Sequence, residues 1–138
     1  MEPHELLSRY SLLEKMPGAD LAAIAAIATR ERYEDTALVC RAGDDADALY
    51  VVERGTIEVV RDGRVVGTLE SGQGFGEGPF FAPGKRVLDA RAIGGAQLLC
   101  LRYDRLRALF AERPAVELAF YRSACADVFA RLRQLAST

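Results

Sequence analysis

Between Ala37 and Tyr103 the sequence is a succession of short, β-branched runs stopped by glycine: "ALVCRAG", "ALYVVERG", "TIEVVRDG", "RVVGTLESG", "RVLDARAIGG" and "AQLLCLRY". No helix-length segment separates them, so a parallel sheet with helical crossovers is excluded and an antiparallel sandwich or barrel is expected. Asp62-Gly63, between "IEVVR" and "RVVGTL", supplies the positive φ that a two-residue hairpin demands at both turn positions. Helices flank this region. "PHELLSRYSLLEKM" and "DLAAIAAIATRERY" carry apolar residues at helical spacing, parted by Pro17 and Gly18, with Asp20 placed to cap the second. The helical N-terminus is thus expected over about 4–33, the strands over about 37–103, and helix again over about 104–136. "DRLRALFAER" ends at Pro114, which suits the first turn of a last helix running to about Leu135.

All 138 residues fit one domain, and half of them are apolar, which is enough to build a core. A net charge of −2 offers no global attraction for nucleic acid or an anionic membrane. The longest apolar run, "LAAIAAIA", is far short of the roughly 20 residues of a membrane span, and "MEPHELL" lacks a basic leader. Neither nucleic acid nor membrane is therefore expected as a partner, and a cytoplasmic setting is. Cys40, Cys100 and Cys125 are odd in number and set among apolar residues, which reads as core thiols in a reducing compartment.

Residues 70–86, "ESGQGFGEGPFFAPGKR", place glycine at every second position from Gly72 to Gly78. A dinucleotide fingerprint fails because Glu77 stands where its third glycine belongs, and a Walker loop fails because Gly84-Lys85 is followed by Arg86. What remains is a loop whose amides can face an anion, with Glu77 as an acceptor and Arg86 as a fixed cation. A carboxylate suits vicinal hydroxyl donors and a guanidinium suits phosphate, so together they describe a ribose-phosphate site. Two blander readings stand beside it: Arg86 and Glu77 pair with each other, or Arg86 points into water.

The order of these features resembles the cyclic nucleotide-binding domain family, the β-roll of catabolite activator proteins, protein kinase regulatory subunits and gated channels. The resemblance covers about residues 10–135. It rests on "RYEDTALVCRAGDDADALYVVERGTIEVV", in which Gly43-Asp44, Leu49-Tyr50 and Gly55 match the family pattern, then on "LESGQGFGE", Arg86 and Ala92. It implies a mainly β fold with flanking helices: a cupin-like antiparallel β-roll, short N-terminal helices and a long C-terminal helix. It also implies that Gly76 to Arg86 form a phosphate-binding cassette. Glu77 would bind the ribose hydroxyl, Gly76 would let the backbone approach, Arg86 would pair with the cyclic phosphate, and Gly78 and Val87 would flank it. The helix after Pro114 would respond to ligand.

Two positions depart from the family. Pro79 lacks the N–H that the cassette ordinarily offers the phosphate. Val87 offers an amide without the small or hydroxylated side chain usual after the Arg, and is expected to crowd the phosphate. Losing one hydrogen bond to a charged group costs about 1.5 to 3 kcal/mol, or one to two decades of affinity.

Other chemistry has little support. A metal-dependent cupin needs clustered histidines and this chain has only His4, so no metal and no cofactor is expected. "DDAD" at 44–47 reads as a turn between strands. No histidine base neighbours a Cys, Ser or Thr, so no catalytic residue is assigned and the protein is read as a non-enzyme. The arginines between Arg102 and Arg133 alternate with acids, as on a solvated helical face.

In the last helix Leu118, Tyr121, Cys125, Val128, Leu132 and Leu135 form a heptad seam, with a second apolar edge at Val116, Phe120 and Phe129. Either both edges pack within one chain or one meets a second subunit. No helix-turn-helix, channel or kinase segment follows before Thr138, so output through an unknown downstream protein or a homodimer is expected. The leading reading is a sensor module for a 3',5'-cyclic mononucleotide, cyclic AMP or cyclic GMP, in which Arg86→Ala abolishes binding and leaves thermal unfolding little changed. The alternatives are an idle pocket in a dimerisation or protein-interaction module, and a modified site for cyclic di-GMP.

Overall fold

A computed structural model describes residues 1–137. The chain opens with α1 (Pro3–Leu7) and α2 (Gly18–Ile27), then runs through β1 (Thr29–Tyr33), β2 (Leu38–Cys40), β3 (Ala48–Arg61), β4 (Arg64–Leu69) and β5 (Gly74–Phe75). A single helical turn, α3 (Gly78–Phe81), precedes β6 (Asp89–Arg102), α4 (Tyr103–Glu112) and α5 (Pro114–Ala136). All strand pairs are antiparallel in the order β1-β6-β3-β4, with β2 added to β6 and β5 to β3.

The two central strands explain the uninterrupted apolar runs. Side chains alternate across a strand, so Leu49 and Val51 of β3, with Leu99 and Leu101 of β6, face the helices. Their neighbours Tyr50, Val52, Leu98 and Cys100 fill the interior of the roll. Burial on both faces removes the polar alternation that a half-exposed strand would show.

Two expected strand breaks are bends instead. Gly55 lies within β3 and Gly94-Gly95 within β6, so each apparent pair of strands is one strand of 14 residues. At the bend Gly55 has φ 88°, and a Cβ there would lie 2.4 Å from the Gly95 carbonyl oxygen. Only glycine permits that approach at the register shift between Arg54 and Thr56. The Asp62-Gly63 hairpin is as expected, with φ 51° and 77°.

The N-terminal helices are shorter than expected. After α1 the chain continues in tight turns, with N–H groups of Tyr10, Leu13 and Met16 donating to the carbonyls three residues back. Leu7, Tyr10, Leu13 and Met16 are all buried, and a spacing of exactly three belongs to such turns rather than to an α-helix. The second helix ends at Ile27 rather than 33, because 29–33 pair with β6 as β1. Asp20 is not its cap: Pro17 holds that position, and Asp20 sits in the first turn, where the helix dipole favours its charge. At the C-terminal end Pro114 opens α5 as expected, and Val116, Phe120, Ser123 and Ala124 bury one side of it against α4 and the N-terminal segment.

Candidate functional site

Three glycines of the 72–78 run have separate structural causes. Gly72 takes φ 87° and a Cβ there would press on Arg9, while at Gly74 a Cβ would fall 2.7 Å from the Tyr10 ring. The N-terminal turns therefore lie directly on this strand. Gly76, also at φ 87°, admits Arg86: a Cβ would stand 2.5 Å from its Nη1. At Gly78 a Cβ would meet nothing within 4 Å.

Arg86 is held from both main chain and side chain. Its N–H donates to the Asp44 carbonyl at 2.8 Å and its carbonyl accepts from Gly43 N–H at 2.7 Å, with Lys85 ion-paired to Asp45 beside them. The acidic turn at 44–47 thus anchors the cassette, and Asp89 Oδ1 secures it further by accepting from Ala42 N–H at 2.7 Å. Arg86 is 6% exposed, and its guanidinium donates from Nη2 to the Ala48 carbonyl at 2.6 Å and from Nη1 to the Gly76 carbonyl at 3.3 Å. Its carbon lies 5.9 Å from the centre of the Tyr50 ring. Among the described residues it has no ion-pair partner. Neither blander reading of Arg86 holds: it does not point into water, and it forms no ion pair with Glu77.

Gly76, Glu77, Gly78, Arg86 and Val87 all line one cavity of about 330 Å³, within the range of small-molecule sites. Its other walls include Cys40, Val59, Leu69, Phe75, Leu88 and Ala90. A mostly apolar chamber with one guanidinium and two carboxylates, Glu77 and Asp89, of which Asp89 already accepts from Ala42 N–H, can hold an anionic head at Arg86 and a flat, uncharged body together. Burial pushes the Cys40 thiol up despite the opposing Arg86 charge, so the thiol stays neutral against that wall. Pro79 lies in α3 and adds no N–H to the cavity. Val87 lines the cavity as well and is 72% exposed.

Sequence reasoning missed Tyr10, Phe80 and Tyr103. Tyr103 donates its hydroxyl to the Gly76 carbonyl, sharing that acceptor with Arg86. Tyr10 lies buried under Gly74, and its hydroxyl has no hydrogen-bond partner among the described residues. Burial first, and the Glu77 carboxylate second, push that phenol far above its ordinary value. Phe80 of α3 packs edge-on to Tyr103, Phe110 and Phe120 at 5.2, 6.3 and 5.7 Å. Beyond it a second cavity of about 340 Å³ runs between α3 and α5, and Glu77 and Gly78 line both chambers.

The model of the cyclic nucleotide-binding domain matches residues 30–113, more than half of the chain. The chain belongs to the cyclic nucleotide-binding domain family. Glutaminase 1 of Bradyrhizobium diazoefficiens is 38% identical over 72 residues, which are 51% of this chain and 12% of that protein. The N-terminal domain of a transcriptional regulator from Streptomyces coelicolor superposes with a TM-score of 0.81 at 27% identity, covering 96% of each chain. The regulatory domain of Toxoplasma gondii PKA, solved with cAMP, superposes with a TM-score of 0.72 at 24% identity over 78% of this chain and 43% of that one. The chain spans between 12% and 28% of the length of the curated relatives it matches. Among the described residues no helix is long and apolar enough to cross a membrane, and no cluster of metal-ligating side chains occurs.

Proposed function

We propose that this domain is a non-enzymatic regulatory module, working in the cytoplasm, that binds a 3',5'-cyclic mononucleotide in the 330 Å³ cavity. The observation that carries the reading is Arg86, a buried guanidinium opening on an apolar chamber with no carboxylate partner among the described residues. A buried unpaired charge is costly, and a phosphate supplies the missing counter-charge. Glu77 accepts from the ribose hydroxyl, and Val59, Leu69 and Phe75 offer apolar surface to the base. The cyclic AMP in the Toxoplasma regulatory domain supports the ligand class.

Occupancy reaches α5 through Phe80. Ligand that draws in Glu77 moves the turn carrying Phe80, and Phe80 rests on Phe120 of α5. The signal transmitted is the difference in ligand affinity between the two packings of that turn.

Calorimetric titration with cyclic AMP, cyclic GMP and cyclic di-GMP, for the wild type and for Glu77→Gln, tests the site. Saturable binding of a cyclic mononucleotide, weakened at least tenfold by Glu77→Gln, is the expected result, about 1.4 kcal/mol for the lost charged hydrogen bond. No heat from any mononucleotide removes the reading, and heat from cyclic di-GMP alone replaces the ligand.

A second reading has its own observation. Leu118, Val128, Phe129 and Leu132 of α5 are 49% to 59% exposed, although they are large and apolar. A ladder of that kind suits a homodimer through α5, with or without an occupied pocket.

A further inference from the structure

On the outer face of β1, β3 and β6, away from the nucleotide cavity, five polar side chains form one chain of hydrogen bonds. Arg30 of β1 grips Glu53 of β3 with both ends of its fork, Nε to Oε1 at 2.9 Å and Nη2 to Oε2 at 3.2 Å. Glu53 Oε1 also accepts from the Gln97 amide nitrogen at 2.7 Å, which fixes the direction in which that amide points. Its oxygen, Gln97 Oε1, then accepts from two arginines at once: Arg32 Nε at 3.0 Å and Arg54 Nη2 at 2.9 Å.

The charge along this chain does not balance. Glu53 is committed to Arg30, and the hydrogen bonds from Arg30 and Gln97 hold its carboxyl below the usual carboxylate range, so it stays ionised. Arg32 and Arg54 are left sharing one neutral oxygen. Neither forms an ion pair among the described residues. The two guanidiniums come from strands on either side of β6 and border an open depression of about 800 Å³, lined also by Tyr33, Glu34, Gly95, Ala96 and Gln97. Glu34 is the only carboxylate among these lining residues, and Asp35 beside it is turned to the Gly94 N–H at 2.7 Å. Gln97 is 8% exposed, so the acceptor joining the two arginines is part of the folded framework rather than a mobile surface group.

We propose that this depression is an oxyanion site for a phosphate group. Two cations held on one neutral acceptor repel each other, and an anion that bridges them relieves the repulsion. A phosphate dianion matches the pair in charge and in geometry. It carries about two negative charges near pH 7 and several acceptor oxygens, and guanidinium forks bind such groups through paired N–H donors. A single carboxylate would neutralise one of the two. The site shares no lining residue with the nucleotide cavity, so it stands whether or not that cavity binds.

The test is a titration of the ¹⁵N-labelled protein at low salt with inorganic phosphate, with a short phosphoserine peptide, and with acetate, following the backbone amides. The expected result is saturable shifts at residues 32–34 and 95–97 with an apparent Kd below about 1 mM for phosphate, weakening as salt is raised. Acetate should bind at least tenfold more weakly, and Arg32→Gln with Arg54→Gln should remove the shifts. Both arginines are exposed, so these variants keep the core intact. Because phosphate is also a fragment of a cyclic nucleotide, shifts at Gly76 and Arg86 report the other cavity separately. Stronger saturation by the peptide than by free phosphate identifies a phosphorylated partner as the source, and the reverse identifies the free ion. No saturable shift at 32–34 or 95–97 up to about 50 mM phosphate, or shifts that persist in the double variant, would overturn the site.

Discussion

Arg86 illustrates how much one side chain in this domain is asked to do. As a loop residue it would be separable from stability, and Arg86→Ala would cost binding alone. In the fold it is buried and its guanidinium serves the carbonyls of Ala48 and Gly76. Arg86→Ala is therefore expected to lower unfolding stability by about 1 to 3 kcal/mol as well, measured as a lower urea midpoint. Arg86→Lys keeps the charge and loses the fork, so it should retain most of the stability while weakening phosphate binding. The glycines make a second contrast. Gly74→Ala puts a methyl group into the Tyr10 ring and should cost about 1 to 3 kcal/mol, whereas Gly78→Ala meets nothing and should fall within about 0.5 kcal/mol of wild type in the same unfolding experiment. Alternation of glycine was visible in the sequence, but its causes were not. Positive φ at Gly72 and Gly76 is a local matter, while the demand at Gly74 comes from a tyrosine more than sixty residues earlier in the chain. Nor could "APGKRV" reveal that its arginine turns inward, because the carbonyls that receive it belong to β3 and to the start of α3's approach.

Elements were legible where local chemistry decides them. The Asp62-Gly63 turn and Pro114 at the start of α5 both follow from residues within a few positions. The N-terminal third was harder. Leucines at 6, 7, 12 and 13 fit a helical period loosely, and only the hydrogen bonds reveal the spacing of three. β1 was concealed because "TRERY" has no apolar alternation; its place is set by pairing with Ala96 to Cys100 of β6. For α5 the sequence showed two apolar edges, and the fold buries Val116 and Phe120 of the second while leaving its Phe129 exposed with the heptad seam. Leu132, 52% exposed, tests the other edge. Leu132→Asp should change unfolding stability by less than about 0.5 kcal/mol, since it disturbs no buried contact. Sedimentation velocity across a concentration series should show self-association of the wild type that the variant loses; a wild type that stays monomeric at every concentration removes the homodimer.

At the scale of the whole molecule, burial and charge pairing together set how stability depends on pH. The six-stranded order β1-β6-β3-β4 places β6 between partners on both sides and buries Cys100 at 2% exposure among Tyr50, Leu98 and Ala48. Burial, reinforced by the nearby Glu31 carboxylate, pushes that thiol up to about 12 from an ordinary 9.0. In the unfolded chain the thiol ionises near the ordinary value. Between the two the unfolded state binds fewer protons than the folded one, so stability is full below 9.0 and falls as pH rises. Tyr33 and Tyr50, also raised by burial from an ordinary 10.0, steepen the fall above that point. On the acid side the sign is opposite. Glu53 is held below the ordinary carboxylate range by Arg30, so its contribution is present above the unfolded carboxylate pKa and lost as pH falls through the depressed folded value. Thermal unfolding followed by circular dichroism should therefore show a plateau around neutrality with losses at both ends. Cys100→Val deletes one of the two thiols that burial raises from 9.0 without opening a cavity, and should make the alkaline loss shallower, with Cys40 still beginning it near 9.0 and the tyrosines steepening it above 10.0. Arg30→Gln should act only on the acid limb, because it releases Glu53 and leaves the interior of the roll untouched. If both variants shift both limbs equally, pH acts through net charge rather than through these two groups.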